Sequence, residues 1–346
     1  MKKLLLCLGA AFALSNSSQA QDVHFSQYFT SPMTLNPALT GLTQSDLRIA
    51  ANFRQQWSSI NNAPYTTGTA SVDVASLRGQ FESGDYLGFG VLALYDKAGT
   101  AALQNISIGL SAAYHKAFGV DKQHTLSFGV QGTLVQKTIQ NDKLTFEDEY
   151  DPRNQTFSVG TTKDNLSNKD MTYPDFALGL MYNGRISEHA TLFGGVSMYH
   201  ITRPVESFLG GNHKLYRRSA LYAGTQLDMN DRTVFYGSAL VQFQGPNTSA
   251  MAGGAIGFIM NPGYDREFSK ASIFYLGSWY RYGDAIIPYV GFEFSKAQLG
   301  VSYDANLSGL TPATNGNGAF EISLIFNGAI NRADPVQRFV TGCPKF

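Results

Sequence analysis

Residues Ala285–Phe326 read AIIPYVGFEFSKAQLGVSYDANLSGLTPATNGNGAFEISLIF. Three alternating runs are separated by a tight turn and by a longer loop rich in Gly, Asn and Pro. In the last run Phe320, Ile322, Leu324 and Phe326 share one face, with Glu321 and Ser323 on the other. In the run before it Leu299, Val301 and Tyr303 alternate with Gly300, Ser302 and Asp304. Period-two alternation marks strands with one apolar and one polar or small face.

The same unit recurs along the chain. Runs at 46–57, 66–75, 86–97, 102–116, 123–137, 174–184, 190–200, 215–227, 232–243, 250–260, 271–281, 285–295, 297–304 and 317–326 make about fourteen strands, an even number, as bacterial single-chain barrels have. Arg48, Ala50, Asn52 and Arg54 oppose Ile49, Ala51 and Phe53; Ser107, Gly109 and Ser111 oppose Ile106, Ile108 and Leu110. The runs at 232–243 and 271–281 carry apolar residues on both faces.

A soluble sandwich would alternate as well, and three features favour an antiparallel up-and-down transmembrane β-barrel. Only 15% of residues are charged, against about 25% in a soluble domain. Aromatic residues gather near run ends (Phe53, Trp57, Tyr95, Tyr114, Tyr182, Tyr199, Phe243, Trp279, Tyr280, Phe326), where interfacial girdles lie. The longest connections, 138–173, 201–214 and 305–316, are all odd-numbered, whereas even ones such as 185–189, 228–231 and 295–296 are short, with 76–85 an exception. Short periplasmic turns with longer outer loops are the barrel pattern. It places the N-terminus, and with it the C-terminus, in the periplasm.

Four segments follow. Residues 1–20 form a signal peptide: Lys2 and Lys3, a short apolar core from Leu4 to Leu14, and Ser18-Gln19-Ala20 before a cleavage point at Gln21. That core is too short to span a bilayer. Residues 21–45 form an irregular periplasmic or plug-like segment. The barrel runs over 46–326, and 327–346 is a periplasmic tail left for docking or for folding back as a lid. Without the leader Cys343 is the one cysteine, so an internal disulfide is impossible.

The chemistry-bearing residues point away from an enzyme. The six histidines lack metal-ligand spacing, and there is neither a GxSxG elbow nor a P-loop. No metal and no cofactor is expected. No basic stripe suits nucleic acid. Glu147, Asp148, Glu149 and Asp151 read as a solvated outer loop in preference to a Ca²⁺ loop. Arg48, Arg54, Asp73, Asp175, Glu293, Asp304 and Glu321 face the expected lumen, where they either tie the interior together or line a pore.

The chain resembles the PorP/SprF family of the type IX secretion system of Bacteroidota. The opening Asp22, His24-Phe25-Ser26-Gln27-Tyr28 and Leu35-Asn36-Pro37-Ala38-Leu39-Thr40-Gly41 carry the likeness, followed by Arg54-Gln55-Gln56-Trp57 and Pro64-Tyr65-Thr66-Thr67. Tyr173-Pro174-Asp175-Phe176, His200-Ile201-Thr202-Arg203-Pro204, Leu299 to Asp304, Gly318 to Leu324 and Cys343-Pro344-Lys345-Phe346 complete it. The family signature more often closes with Arg than with the Lys345 found here.

This resemblance implies a non-enzymatic outer-membrane barrel that supports export and surface attachment of cargo bearing a type B C-terminal signal domain, gliding adhesins among them. It implies as partners type IX subunits in the outer membrane and periplasm, the secreted cargo, and outer-membrane lipid. The motif matches nominate Phe25, Gln27, Tyr28, Asn36, Pro37, Arg54, Trp57, Tyr303, Asp304, Glu321, Cys343 and Phe346 for partner contacts. Competing readings are a channel or transporter for small solutes and a purely structural link to periplasmic machinery.

Overall fold

The computed structural model describes residues 22–43, 45–60, 64–99, 103–140, 147–158, 170–208, 210–260, 272–309 and 311–328. The strands are β1 (Leu47–Gln56), β2 (Tyr65–Ser76), β3 (Tyr86–Ala98), β4 (Leu103–Phe118), β5 (His124–Thr138), β6 (Tyr150–Asp151), β7 (Thr156–Phe157) and β8 (Asp170–Ser187). They continue as β9 (Ala190–Tyr199), β10 (Arg218–Asn230), β11 (Thr233–Gln244), β12 (Asn247–Ile259), β13 (Ser272–Arg281), β14 (Ala285–Phe294), β15 (Ala297–Asn306) and β16 (Asn317–Gly328). All but β6 and β7 pair antiparallel with their chain neighbours, and β1 pairs with β16, which closes a barrel of fourteen strands. The strand β6 pairs with β7 as a small hairpin inside the longest connection.

Alternation is read out as expected. Ile108, Leu110, Leu126, Phe128, Phe176 and Leu180 lie exposed on the outer wall, while Ser107, Ser111, Thr125, Ser127 and Asp175 are buried inside. An outer wall of this kind suits lipid, and a closed ladder leaves no sheet edge unpaired there. Among the described residues no helix is long and apolar enough to cross a membrane.

Several expectations need correction. Tyr199 and Trp279 are not girdle residues: each has inward parity, is buried, and packs against the segment inside the barrel. The strand β8 starts four residues before Pro174, where the alternating run seemed to begin. Its ladder with β9 starts only at Leu178, so Pro174 occupies a one-sided stretch where a missing N–H is tolerated.

The connections after β5, β9 and β15 lie at one end, here the loop end; those after β8, β10 and β14 lie at the other, the turn end. Asp22 bonds Gln244, the last residue of β11, at the loop end. Gly328 ends β16 at the turn end. The two ends of the described chain, Asp22 and Gly328, therefore lie at opposite ends of the barrel. The leader, Gln21 and residues 329–346, including Cys343 and Phe346, lie outside the described residues.

Candidate functional site: the segment held in the lumen

Residues 25–43 are all buried apart from Thr34, which is partly so. They fill the lumen with three short helical turns, Tyr28–Thr30, Pro32–Leu35 and Pro37–Leu39, and little other internal structure. A segment this irregular has few backbone bonds of its own, so the wall must supply the rest. It does so at three levels.

At the loop end Asp22 is the anchor. Its backbone N–H donates to Gln244 Oε1 (2.9 Å), and its carboxylate meets Gln244 Nε2 (3.1 Å), His200 Nε2 (2.5 Å) and Arg218 Nε (3.4 Å). The other ring nitrogen of His200 lies 2.9 Å from Asp175. Burial opposes a charge on His200, but the two carboxylates outweigh it and push its pKa up to about 9. His24 goes the other way: burial, then the neighbouring Arg281 and Arg54, push it down to about 3. Arg218 lies over the Tyr199 ring at 4.3 Å and donates to the Thr34 carbonyl.

The middle level is a charge cluster built on Ser26. Arg54 of β1 and Glu321 of β16 are register partners and form an ion pair. Arg54 also binds Asp304 (2.9 Å), which Arg281 approaches at 3.0 Å. Ser26 Oγ donates to the Asp304 carboxylate (2.7 Å) and accepts from both arginines. Glu321 takes the N–H of Ser26 on one oxygen (2.6 Å) and that of Gln27 on the other (2.8 Å). Two guanidinium groups face two carboxylates, so the buried charge balances, as it must away from water. Local irregularity aims Asp304 here. A register shift toward β16 falls between Asp304 and Ala305, and the β14 ladder omits Ile287 and Pro288 opposite Tyr303 and Asp304. Just below, Gln27 bridges Ser302 and Ser323.

Beside these, strands β11 and β13 turn apolar side chains inward. Phe29 packs on Trp279 and Tyr289 (ring centroids 5.2 and 5.7 Å), and the Tyr28 hydroxyl donates to Ser238. That explains the runs with two apolar faces: one face points out from the barrel and the other meets the plug.

The third level holds Asn36-Pro37-Ala38. Asn36 Nδ2 donates to the Leu180 (3.0 Å) and Val196 (3.2 Å) carbonyls, and its Oδ1 accepts from Ala38 N–H (2.8 Å). The wall opposite is a row of small residues in register, Gly88, Ala113, Gly129 and Gly179. A Cβ on Gly129 would lie 2.3 Å from Ala38 N, and one on Gly179 would lie 1.8 Å from Asn36 Oδ1. Toward the turn end, Arg48 pairs with Asp73 (2.8 Å) and donates to the Leu39 carbonyl, while Asp73 accepts from Gly41 N–H. Arg78 donates to the Thr43 and Ser45 carbonyls at the exit.

Of the residues nominated for partners, Phe25, Gln27, Tyr28, Asn36, Pro37, Arg54, Asp304 and Glu321 are buried, and the polar contacts just described lie within this chain. With the segment in place they present no surface. Trp57 is half-buried at the loop end, with φ +55 and its ring against Tyr65 (5.2 Å). Tyr303 faces outward and its hydroxyl meets Asn317. Arg281 and the Asp22–His200 pair complete the site. Arg281 had only its strand-end position to mark it, and no sequence pattern linked Asp22 to a histidine so far along the chain. His200 has a carboxylate within 2.9 Å of each ring nitrogen. Among the described residues no His, Cys, Asp and Glu group is arranged to hold a metal.

The family described as "Type IX secretion system membrane protein PorP/SprF" matches residues 17–326. No curated protein sequence matches the chain. Similar solved structures include the CymD monoaromatic hydrocarbon channel, at 13% identity over 88% of this chain and 94% of that one, TM-score 0.47. The toluene transporter TodX of Pseudomonas putida matches at 10% identity over 88% and 93%, TM-score 0.48. The translocator domain of autotransporter NalP from Neisseria meningitidis matches at 14% over 82% and 89%, TM-score 0.40. What these proteins carry is a property of those proteins.

Proposed function

The chain belongs to the PorP/SprF family of type IX secretion system membrane proteins, and from that premise we propose that it is an outer-membrane anchor that helps display exported cargo and does not conduct solutes. The cargo bears a type B C-terminal signal domain, as gliding adhesins do. The loop end faces the cell surface and receives it; the turn end faces the periplasm and meets other type IX subunits. The observation that carries this reading is the filled lumen. Nineteen consecutive positions, 25–43, lie inside the barrel and are tied to the wall from end to end. A barrel so filled offers a partner its two ends.

The solute-channel reading needs an open path through the same lumen, and the plug opposes it. The purely structural link needs no cargo at all. One experiment separates them. The tagged protein is crosslinked on intact cells and purified from outer membranes, and its companions are identified by mass spectrometry. Type IX subunits together with a large surface protein carrying a C-terminal signal domain are expected. Subunits without cargo would favour the structural link, and a solitary barrel would sink the proposal.

A further inference from the structure

The 200–217 connection is a hairpin of its own. Leu215 N–H donates to the Pro204 carbonyl (2.9 Å), Val205 bridges Lys214, and Glu206 N–H donates to the His213 carbonyl (2.8 Å). It leans inward over the lumen mouth. Glu206, its one carboxylate, pairs with Lys137 of β5 (2.6 Å) and accepts from Tyr173 of β8 (3.2 Å). That pairing leaves the hairpin's outer side strongly positive. Arg203, Lys214 and Arg217 are exposed, and none has a carboxylate partner among the described residues.

The two arginines are aimed. Arg217 Nε donates to the Ile201 carbonyl (3.3 Å), Arg203 Nε reaches the Leu215 carbonyl at 3.5 Å, and the Arg203 guanidinium lies 5.8 Å from the Tyr216 ring centroid. Holding a guanidinium by Nε leaves its terminal nitrogens free as a fork suited to a carboxylate. Tyr216 (42% exposed) adjoins Arg217 in the chain and Val205 (47%) lies two residues from Arg203. Tyr216 packs its ring on the turn at Gly245, which fixes its position.

We propose that the outer side of the 200–217 hairpin docks an acidic polypeptide segment, with Arg203 and Arg217 taking carboxylates and Tyr216 and Val205 taking the apolar side chains between them. Glu206 ties the hairpin to Lys137 and Tyr173, both of inward parity, and a hairpin held toward the lumen favours a polypeptide over lipid phosphates. This inference rests on the cargo-display reading and names the chemistry of the cargo segment that the loop end receives.

The test uses the full chain in a zwitterionic detergent and a fluorescent peptide of alternating Asp and Leu. The control peptide carries Asn in place of Asp. The acidic peptide is expected to bind, more weakly as salt is raised, and to lose at least about tenfold in affinity with the double variant Arg203→Glu and Arg217→Glu. The variant's heat-dependent gel mobility should match the parent's, which shows an intact barrel. Equal binding by the double variant, or equal binding of the Asn peptide, overturns the inference. So does displacement of the peptide by bicelles of anionic phospholipid, which would assign the surface to lipid. The underlying reading fails separately, when cells lacking the chain still display their cargo.

Discussion

Arg54 and Glu321 face each other across the seam where the first strand of the barrel meets the last, and the same Glu321 carboxylate binds the backbone of Ser26 and Gln27. Closure of the barrel and retention of its plug thus share one buried ion pair. Removing Glu321 leaves two guanidinium groups to the single Asp304 carboxylate, and an uncompensated buried charge of this kind costs about 3–5 kcal/mol. Glu321→Ala is therefore expected to lower the urea midpoint of unfolding and to open the plug to protease. Ser302→Ala, which removes one neutral bond to Gln27, is expected to cost only about 1 kcal/mol. Equal midpoints for the two variants would refute the shared role.

Gly129→Ala and Gly179→Ala test the fit of Asn36-Pro37-Ala38 against the wall. The added methyl meets plug atoms at 2.3 Å and 1.8 Å, and the Gly129 neighbours are backbone. Overpacking of this kind costs about 1–3 kcal/mol or more. Both variants are expected to assemble with the plug displaced at this level, seen as faster amide exchange around Asn36 and Ala38. Gly132→Ala, whose methyl would find Phe176 at an ordinary 3.6 Å, serves as the control.

His24 and His200 predict a bell-shaped pH dependence of plug retention. The folded pKa of His200 is raised to about 9, so its contribution is complete below the ordinary value of about 6.5 and is lost as pH rises through 9. That of His24 is lowered to about 3, so the unfolded state takes up a proton first and stability falls as pH drops below about 6.5. Protection of the plug amides, taken relative to the intrinsic exchange rate at each pH from about 5 to 10, should be greatest near neutrality. His200→Gln should remove the alkaline limb and His24→Asn the acid limb. A wild-type profile with neither limb would count against both assignments.

Much of this was legible in alternation. Parity alone put Arg54, Asp73, Asp304 and Glu321 inside, because a strand residue's face follows from its neighbours. Parity does not say what stands behind the wall. Tyr199 and Trp279 therefore looked like girdle residues, and the doubly apolar β11 and β13 looked ambiguous, when each was reporting an apolar plug. Nor does alternation give the path of an irregular segment. The contacts of Asp22 with His200, Arg218 and Gln244 join residues far apart in the chain. They put the start of the described chain at the loop end of the barrel. The hairpin of β6 and β7 is too short to set up a period.

Removal of residues 22–43 is the sharpest test of what the plug does. The fourteen-strand ladder is complete without those residues, since each of its strands pairs on both sides and β1 closes on β16. The truncated chain, with its export leader kept, should still insert. It would leave Arg54, Arg281, Asp304 and Glu321 to one another and to water, and expose the inward Trp279 and Tyr289 that Phe29 covers. Lower thermal stability is expected, together with ion conductance in planar bilayers where the parent is silent. Cargo display on cells should fall only so far as the lost plug disturbs the loop end through His200 and Arg218. Conductance by the intact parent equal to that of the truncated chain would show that the plug does not seal the lumen, and would return the solute channel to first place.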